Sequence, residues 1–244
     1  MRIVLKILRF QPEKIGEDRG PRFERFEVEA DPGSRLLDAL VDVQRRADPT
    51  LAFRKSCGHG VCGSDAMRIN GREGLACKTL VREAAREDGG EIVLEPLATL
   101  AAVRDLVVDE APFFRIYRAV TPYLIEGEEP ADGRERRQSP EERKTIDDAT
   151  NCILCAACYS ACPVVRTIHP AFIGPAAIVQ AFRFQADSRD RGFGERLAVL
   201  DRPDGVWPCE NKFECTRVCP RGIKVTKLIN DTKRRITEFK ARRG

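Results

Sequence analysis

Apolar and polar residues alternate along two segments near the start of the chain. Ile3, Leu5 and Ile7 are each separated by a residue of the opposite face, and a similar alternation runs over residues 26–30. A period of two residues is typical of a β-strand with one buried face. The two segments therefore predict two strands, which the turn-prone residues 11–21 would join as a loose hairpin.

After these two segments the apolar residues change to the spacing of a helix. Apolar residues recur from Ser34 to Val41, after an Asp-Pro pair that marks a helix start, and they predict one helix. Further on, Asn70-Gly71 favours a tight hairpin turn. The strands predicted around and after this turn are residues 66–69, 74–77 and 91–96. Together these elements predict a small sheet with one helix across it.

Beyond about residue 105 the pattern changes to short helical segments that are separated by proline, glycine and charged residues. Apolar residues after Pro175 predict one helix, and residues 223–239 predict a final one. The chain is therefore predicted to be α+β, with a mixed domain over residues 1–105 and a helical, loop-rich domain over residues 106–244.

Composition describes an ordinary folded protein, with 42% hydrophobic and 33% charged residues and a net charge of +4. This charge is too small to indicate a nucleic-acid partner. No run approaches the roughly 20 apolar residues that a membrane helix needs. Arg2, Lys6 and Arg9 interrupt the first ten residues, unlike the apolar region of a signal peptide. We therefore expect a chain that stays in a cytoplasm-like compartment.

The ten cysteines carry the strongest chemical signal. In a chain without an export signal disulfides are disfavoured, and clustered cysteines indicate metal or redox chemistry. They fall into three groups: Cys57, Cys62 and Cys77; Cys152, Cys155, Cys158 and Cys162; Cys209, Cys215 and Cys219.

The first group follows the plant-type spacing for a 2Fe–2S cluster, with Asp65 in place of the third cysteine. A carboxylate binds iron through oxygen, although it is a harder ligand than thiolate; the alternative is that Asp65 caps a turn. His59 resembles part of a Rieske centre, but no second histidine has the required spacing, so we expect it at the surface or behind the ligands. A zinc site is disfavoured because zinc knuckles prefer Cys-x2-Cys. The predicted 2Fe–2S ligands are Cys57, Cys62, Asp65 and Cys77.

The second group is the run used by bacterial ferredoxins, C-x2-C-x2-C-x3-C-P, and the third group repeats it with Lys212 in place of one cysteine. Lysine is a poor iron ligand at neutral pH because its amine is protonated and hydrated. The third group therefore offers one thiolate fewer than the second.

In two-cluster ferredoxins the cysteine before proline binds the other cluster. Exchanging these cysteines gives one cluster four thiolates, as in 4Fe–4S, and leaves the other three, which suits 3Fe–4S. All ten cysteines are then used. The predicted ligands are Cys152, Cys155, Cys158 and Cys219 for 4Fe–4S, and Cys162, Cys209 and Cys215 for 3Fe–4S.

Over almost its whole length the chain resembles the iron–sulfur subunit of succinate dehydrogenases and fumarate reductases. The resemblance includes SCGHGVCGSDAMRINGREGLAC at 56–77, CILCAACYSACP at 152–163, FIGPAA at 172–177, DSRD at 187–190 and CTRVCP at 215–220. Some dehydrogenase members also have aspartate at the third 2Fe–2S position, which favours dehydrogenase over fumarate reductase. A soluble multi-cluster ferredoxin without an enzyme partner is the alternative from another class.

The resemblance implies a β-grasp 2Fe–2S ferredoxin-like domain followed by an α-helical bacterial ferredoxin-like domain. It also implies partners: a flavoprotein with covalent FAD and the dicarboxylate site, a membrane anchor, and quinone, with haem as a further candidate cofactor in the partner subunits. Electrons would pass from FAD through 2Fe–2S, 4Fe–4S and 3Fe–4S to quinone. The chain would lie peripherally on the cytoplasmic face of the cell membrane, held by anchor subunits.

One region departs from the family pattern. Many members that use ubiquinone carry two tryptophans where this chain has Arg166 and Thr167, and Glu210 stands where a histidine often follows the first cysteine of the third group. The quinone type therefore stays open. Trp207, the only tryptophan, is expected to pack in the core beside the cluster. The residues expected near quinone are Pro163, Arg166, Thr167, Glu210 and Lys212.

Overall fold

The computed structural model describes residues 1–13, 20–130 and 132–242. The chain forms two compact units, one of Met1–Glu110 with Ile153–Ala161 and one of Ala111–Cys152 with Cys162–Gly244. The sequence prediction did not group Ile153–Ala161 with the first unit, and the predicted boundary at residue 105 stays a prediction. Of the predicted hairpin turn, residues 14–19 lie outside the described residues.

The first unit is built on a five-stranded mixed sheet with strand order β2-β1-β5-β3-β4. β1 and β5 are parallel, and the other neighbouring strands are antiparallel. β6 and β7 form a separate two-stranded sheet. In the described residues the strands are β1 Arg2–Arg9, β2 Arg22–Glu29, β3 Ala66–Ile69, β4 Arg72–Leu75, β5 Gly90–Glu95, β6 Ala102–Arg104 and β7 Val107–Val108.

Helices make up most of the second unit, and a five-residue π-helical turn, Val164–Ile168, follows Pro163. In the described residues the α-helices are α1 Leu36–Arg46, α2 Val81–Ala85, α3 Ala111–Ala119, α4 Pro140–Thr150, α5 Ala157–Ser160, α6 Gly174–Gln185, α7 Phe193–Leu200, α8 Glu214–Arg217 and α9 Val225–Ala241. Among all the residues that the structure describes, no helix is both long enough and apolar enough to cross a bilayer.

The predicted strands and helix of the first unit are present. Ile3, Leu5 and Ile7 are buried on one face of β1 and share a core with the buried face of α1. The helix begins at Leu36, two residues later than predicted. Asp31 explains the delay because its side chain and carbonyl accept the N–H groups of Gly33 and Ser34, which forms a turn before the helix.

The hairpin at Asn70-Gly71 is also present, with φ of 50° and 79° at the two turn residues, as a two-residue turn of this sequence requires. Its second strand, however, ends at Leu75 rather than at residue 77. Beyond Leu75 the carbonyl of Asp65 accepts the N–H of Ala76, and the carboxylate of Asp65, rather than a backbone carbonyl, accepts the N–H of Cys77.

In the second unit the buried helix α6 packs against α4 and α9. It begins at Gly174, and the final helix runs over Val225–Ala241, so both predicted helices are present. A buried pair of Arg196 and Asp190, 2.7 Å apart, fixes the segment that follows α3, because Arg196 also donates to the carbonyls of Thr121 and Tyr123.

Candidate iron–sulfur centres

All ten cysteines lie in the described part of the chain, and none of them forms a disulfide there. In the first group, the Sγ atoms of Cys57 and Cys62 are 3.2 Å apart. The Sγ of Cys57 accepts the backbone N–H of His59 at 3.3 Å and that of Cys62 at 3.4 Å. Backbone N–H groups, that of His59 first and then that of Val61, lower the pKa of the Cys57 thiol to about 6, and Cys62 adds to this effect. The loop thus favours the thiolate form, which is the form that binds iron.

Glycine gives this loop its conformation. Gly58, Gly60 and Gly63 have φ between 69° and 72°, a region that other residues seldom adopt. Gly63 has a second requirement, since a Cβ on it would lie 2.6 Å from the Cβ of Cys155. The loop of the first cysteine group therefore packs directly on a cysteine of the second group, within the first unit.

Asp65 and Cys77 lie side by side in the interior, 2% and 3% exposed. The carboxylate of Asp65 accepts the backbone N–H of Cys77 at 2.5 Å. Burial raises the pKa of the Cys77 thiol to about 12, and the hydrogen bond and charge of Asp65 add to this effect. Negative charge at Cys57 also raises this pKa, as expected for neighbouring groups. The three cysteines of the first group and Asp65 thus lie in one region of the first unit, and ligation by Asp65 stays a prediction.

The segment with Cys155 and Cys158 is anchored to the first unit through Ser160. The buried Ser160 hydroxyl donates to the carboxylate of Glu73 at 2.9 Å and accepts the N–H of Ala98 at 2.8 Å. Leu154 has a φ of 55° in this segment. Cys152 and Cys219 lie in the second unit, and the set of four 4Fe–4S ligands stays a prediction.

Three cysteines of the second unit line one small enclosed cavity: Cys162, Cys209 and Cys215. Burial raises the pKa of the Cys162 and Cys215 thiols, and negative charge at Cys209 adds to both effects. A group that removes the protons and neutralises the charge would relieve this repulsion. Iron does both when thiolates bind it, so the donor set fits the three-thiolate cluster that the sequence predicts.

Residue 212, where the third cysteine group lacks a cysteine, projects toward solvent. Lys212 forms an ion pair with Glu210 at 3.3 Å, and both side chains are about half exposed. These two residues and Pro163 line the three-cysteine cavity. Arg166 and Thr167, also predicted near quinone, lie exposed on the π-helical turn and are not part of this lining.

Hydroxyl groups near two cysteines escaped the sequence analysis. The Oγ of Ser64 lies 3.1 Å from the Sγ of Cys62, and the Oγ1 of Thr226 lies 3.5 Å from the Sγ of Cys215. Ser64 could have been suspected because it is two residues from a ligand, but Thr226 is eleven residues from Cys215 and gives no local signal. The expected core packing of Trp207 is wrong, because this side chain is 41% exposed and donates to a carboxylate.

Comparison with known proteins agrees with this arrangement. Residues 4–115 match the family described as a 2Fe-2S iron-sulfur cluster binding domain, and residues 148–223 match a 4Fe-4S dicluster domain. The succinate dehydrogenase iron-sulfur subunit of Coxiella burnetii is 41% identical over 93% of this chain and 94% of its own length. The chain belongs to the family of succinate dehydrogenase iron–sulfur subunits. The Paracoccus denitrificans subunit of the same name is 40% identical over 93% of this chain and 85% of its own length.

Among solved structures, the Mycobacterium smegmatis Sdh1 complex in the apo form contains a chain with 27% identity and a TM-score of 0.84, matched over 98% of this chain and 97% of that one. A hypothetical protein from Helicobacter pylori shares the fold alone, at 17% identity and a TM-score of 0.57 over 95% of this chain and 39% of that one. The predicted family and fold class are confirmed, as are a 2Fe–2S and a 4Fe–4S binding domain.

Proposed function

We propose that this chain is the electron-transfer subunit of a succinate dehydrogenase complex and passes electrons from a flavoprotein to quinone. When bound, its iron–sulfur clusters supply the one-electron carriers, in the order 2Fe–2S, 4Fe–4S and 3Fe–4S. The chain itself provides thiolates, backbone N–H donors and close packing of the segments that carry them. It does not provide the dicarboxylate site.

The contact between Gly63 and Cys155 carries this proposal. Cys155 is a predicted 4Fe–4S ligand, and Gly63 follows Cys62, a predicted 2Fe–2S ligand. A chain that only stored clusters would not need these two segments to touch. Direct packing of one ligand loop on the other supports electron transfer between the first and second clusters.

A 3Fe–4S cluster at Cys162, Cys209 and Cys215 is the proposed exit of the chain. Two observations support it: these cysteines share one cavity, and an exposed ion pair of Lys212 and Glu210 stands where the third group lacks a cysteine. Pro163, Glu210 and Lys212 line the same cavity, so these three residues are the best candidates for the quinone side. Arg166 and Thr167, on the neighbouring exposed turn, stay secondary candidates.

The partners proposed are a flavoprotein that carries FAD and one or more membrane anchor subunits, with quinone as the electron acceptor. Both curated relatives are named as subunits of succinate dehydrogenase, and the Mycobacterium smegmatis structure is described as a complex. We further propose a peripheral position on the cytoplasmic face of the membrane, held by the anchor subunits.

Purification of the complex through a tag on this chain tests the proposal. The chain should bring down a flavin-bearing polypeptide, and anaerobic succinate should reduce the clusters as followed by electron paramagnetic resonance. Fumarate alone is the matched control and should leave them oxidised. Clusters that stay oxidised while succinate reduces the flavin would overturn the proposed function.

A further inference from the structure

A threonine on the final helix lies against a cysteine of the three-thiolate group. Thr226 stands in the first turn of α9 and is 2% exposed. Its Oγ1 lies 3.5 Å from the Sγ of Cys215 and 2.9 Å from the Oγ1 of Thr216. The 3.5 Å distance is within the range of a hydrogen bond to sulfur.

Either atom could donate in each of these two contacts, and the thiolate form of a ligating cysteine fixes the direction of both. The N–H of Thr226 donates to the Oγ1 of Thr216 at 3.0 Å, so this hydroxyl accepts from the backbone and keeps its own proton to donate. A cysteine that binds iron is a thiolate and can only accept. The arrangement that satisfies every group therefore runs from the Thr216 hydroxyl to the Thr226 hydroxyl, and from there to the sulfur of Cys215.

Local structure explains why Thr226 is held in place. The first N–H groups of a helix have no partner within the helix, and Thr216, on the short helix α8, accepts the one at Thr226. Cys215 is the neighbour of Thr216 on α8. One short helix thus supplies both the sulfur and the residue that orients the hydroxyl donor.

We infer that Thr226 is a positioning residue that raises the reduction potential of the cluster bound by Cys215, by donating a hydrogen bond to its thiolate. The inference rests on the proposed 3Fe–4S site. Reduction adds negative charge to a cluster, and hydrogen bonds to its sulfurs are among the determinants of its potential. A donor stabilises the more negative, reduced form more strongly, so Thr226 favours acceptance of the electron.

Besides Thr226, the side chain of Thr216 also hydrogen-bonds the sulfur of Cys215; the donors at Cys162 are backbone groups. Backbone N–H groups of Val164 and Val165 face the sulfur of Cys162, and side-chain substitution does not remove them. Near Cys209 the structure places the Oδ1 of Asn211, which cannot donate, 3.9 Å from the sulfur. Substitution of Thr226 therefore removes a side-chain donor to the cysteine sulfur and leaves the backbone donors in place.

The test is a redox titration of the purified complex, followed by the electron paramagnetic resonance signal of the oxidised three-iron cluster. Thr226→Val keeps the shape and removes the donor. We expect the equilibrium constant for one-electron reduction to fall about tenfold, which is a decrease of about 59 mV. Thr226→Ser restores the hydroxyl and should return the potential close to that of the wild type.

Thr232→Val is the matched control. Thr232 is buried on the same helix, but its hydroxyl donates to the carbonyl of Leu228 at 2.8 Å. Its substitution should leave the potential unchanged. An unchanged potential in Thr226→Val, or an equal decrease in Thr232→Val, would overturn the inference.

Three outcomes separate the role of Thr226 from the presence of the cluster. If Thr226→Val fails to assemble the cluster, Thr216→Val decides instead: it removes the group that orients Thr226 and should lower the potential in the same direction by a smaller amount, and no change would overturn the inference. Absence of any three-iron signal in the wild type would refute the proposed cluster itself. A normal wild-type signal with an unshifted Thr226→Val potential would refute only the role of Thr226.

Discussion

A Cβ atom on Gly63 would lie 2.6 Å from the Cβ of Cys155 and 2.9 Å from its Cα. Gly63 also has a φ of 72°, so both its conformation and its surroundings exclude a side chain. Backbone atoms of Cys155 cannot move aside as the end of a flexible side chain can. The packing of the first cysteine loop on Cys155 thus depends on a single glycine.

Gly63→Ala should therefore disturb both cysteine groups. We expect loss of the 2Fe–2S signal together with a changed or missing 4Fe–4S signal, measured by iron content and electron paramagnetic resonance. Gly89→Ala is the matched control, because its φ is 78° and no atom lies within 4 Å of the added Cβ. It should cost only about 1–2 kcal/mol of backbone strain and retain both signals. Equal behaviour of the two variants would contradict the packing argument.

Asp65 allows ligation to be separated from turn capping. Asp65→Asn keeps an oxygen that can accept the N–H of Cys77 but removes the negative charge that favours iron. If Asp65 ligates iron, Asp65→Asn should alter the 2Fe–2S spectrum, whereas Asp65→Cys should preserve the cluster with a shifted potential. An unaltered spectrum and potential in Asp65→Asn would leave Asp65 as the residue that holds Cys77 in place.

Ser160 anchors the Cys155–Cys158 segment to β4, and its removal should lower stability. Ser160→Ala deprives the buried carboxylate of Glu73 and the N–H of Ala98 of a partner. Leaving such groups unsatisfied costs about 1–3 kcal/mol, which should appear as a lower urea midpoint for the loss of cluster absorbance. Ser34→Ala, which removes a hydroxyl bonded to the exposed carbonyl of Asp31, is the control. Equal midpoints for the two variants would contradict this role.

Much of the fold was predictable because it depends on local patterns. Alternation at Ile3, Leu5 and Ile7 and the pair Asn70-Gly71 determine β1 and the β3–β4 hairpin through short-range rules. The early end of β4 was not predictable, since the N–H of Cys77 has its partner in the carboxylate of Asp65, twelve residues earlier in the chain. The capping box at Ser139 and Glu142, which opens α4, carried a readable signal that the sequence analysis did not use.

In the candidate site, too, the features that depend on local sequence were predictable and those that depend on distant residues were not. Cysteine spacing predicts which residues bind iron because the geometry of a cluster fixes that spacing. Spacing does not predict which distant groups contact the sulfurs. Thr226 reaches Cys215 only through the packing of α8 and α9, and Gly63 meets Cys155 only in the folded first unit.

Lys212→Cys tests the predicted number of thiolate ligands at the 3Fe–4S cluster in the second unit. A thiolate at this position should supply the missing ligand and convert the 3Fe–4S cluster to 4Fe–4S, with a lower potential and slower turnover with quinone. Succinate oxidation with an artificial acceptor that draws on the flavin should persist. Lys212→Ala removes the ion pair to Glu210 without adding a thiolate and should keep the three-iron signal. If Lys212→Cys also keeps that signal, residue 212 does not face the open corner of the cluster.

The most direct test of the whole account is the iron content of the anaerobically purified complex, measured with its electron paramagnetic resonance spectrum. Three clusters of two, four and three irons predict about nine irons for each copy of this chain, and the air-oxidised complex should show one three-iron signal. An iron content near four, or a spectrum without the three-iron signal, would contradict an electron path of three clusters.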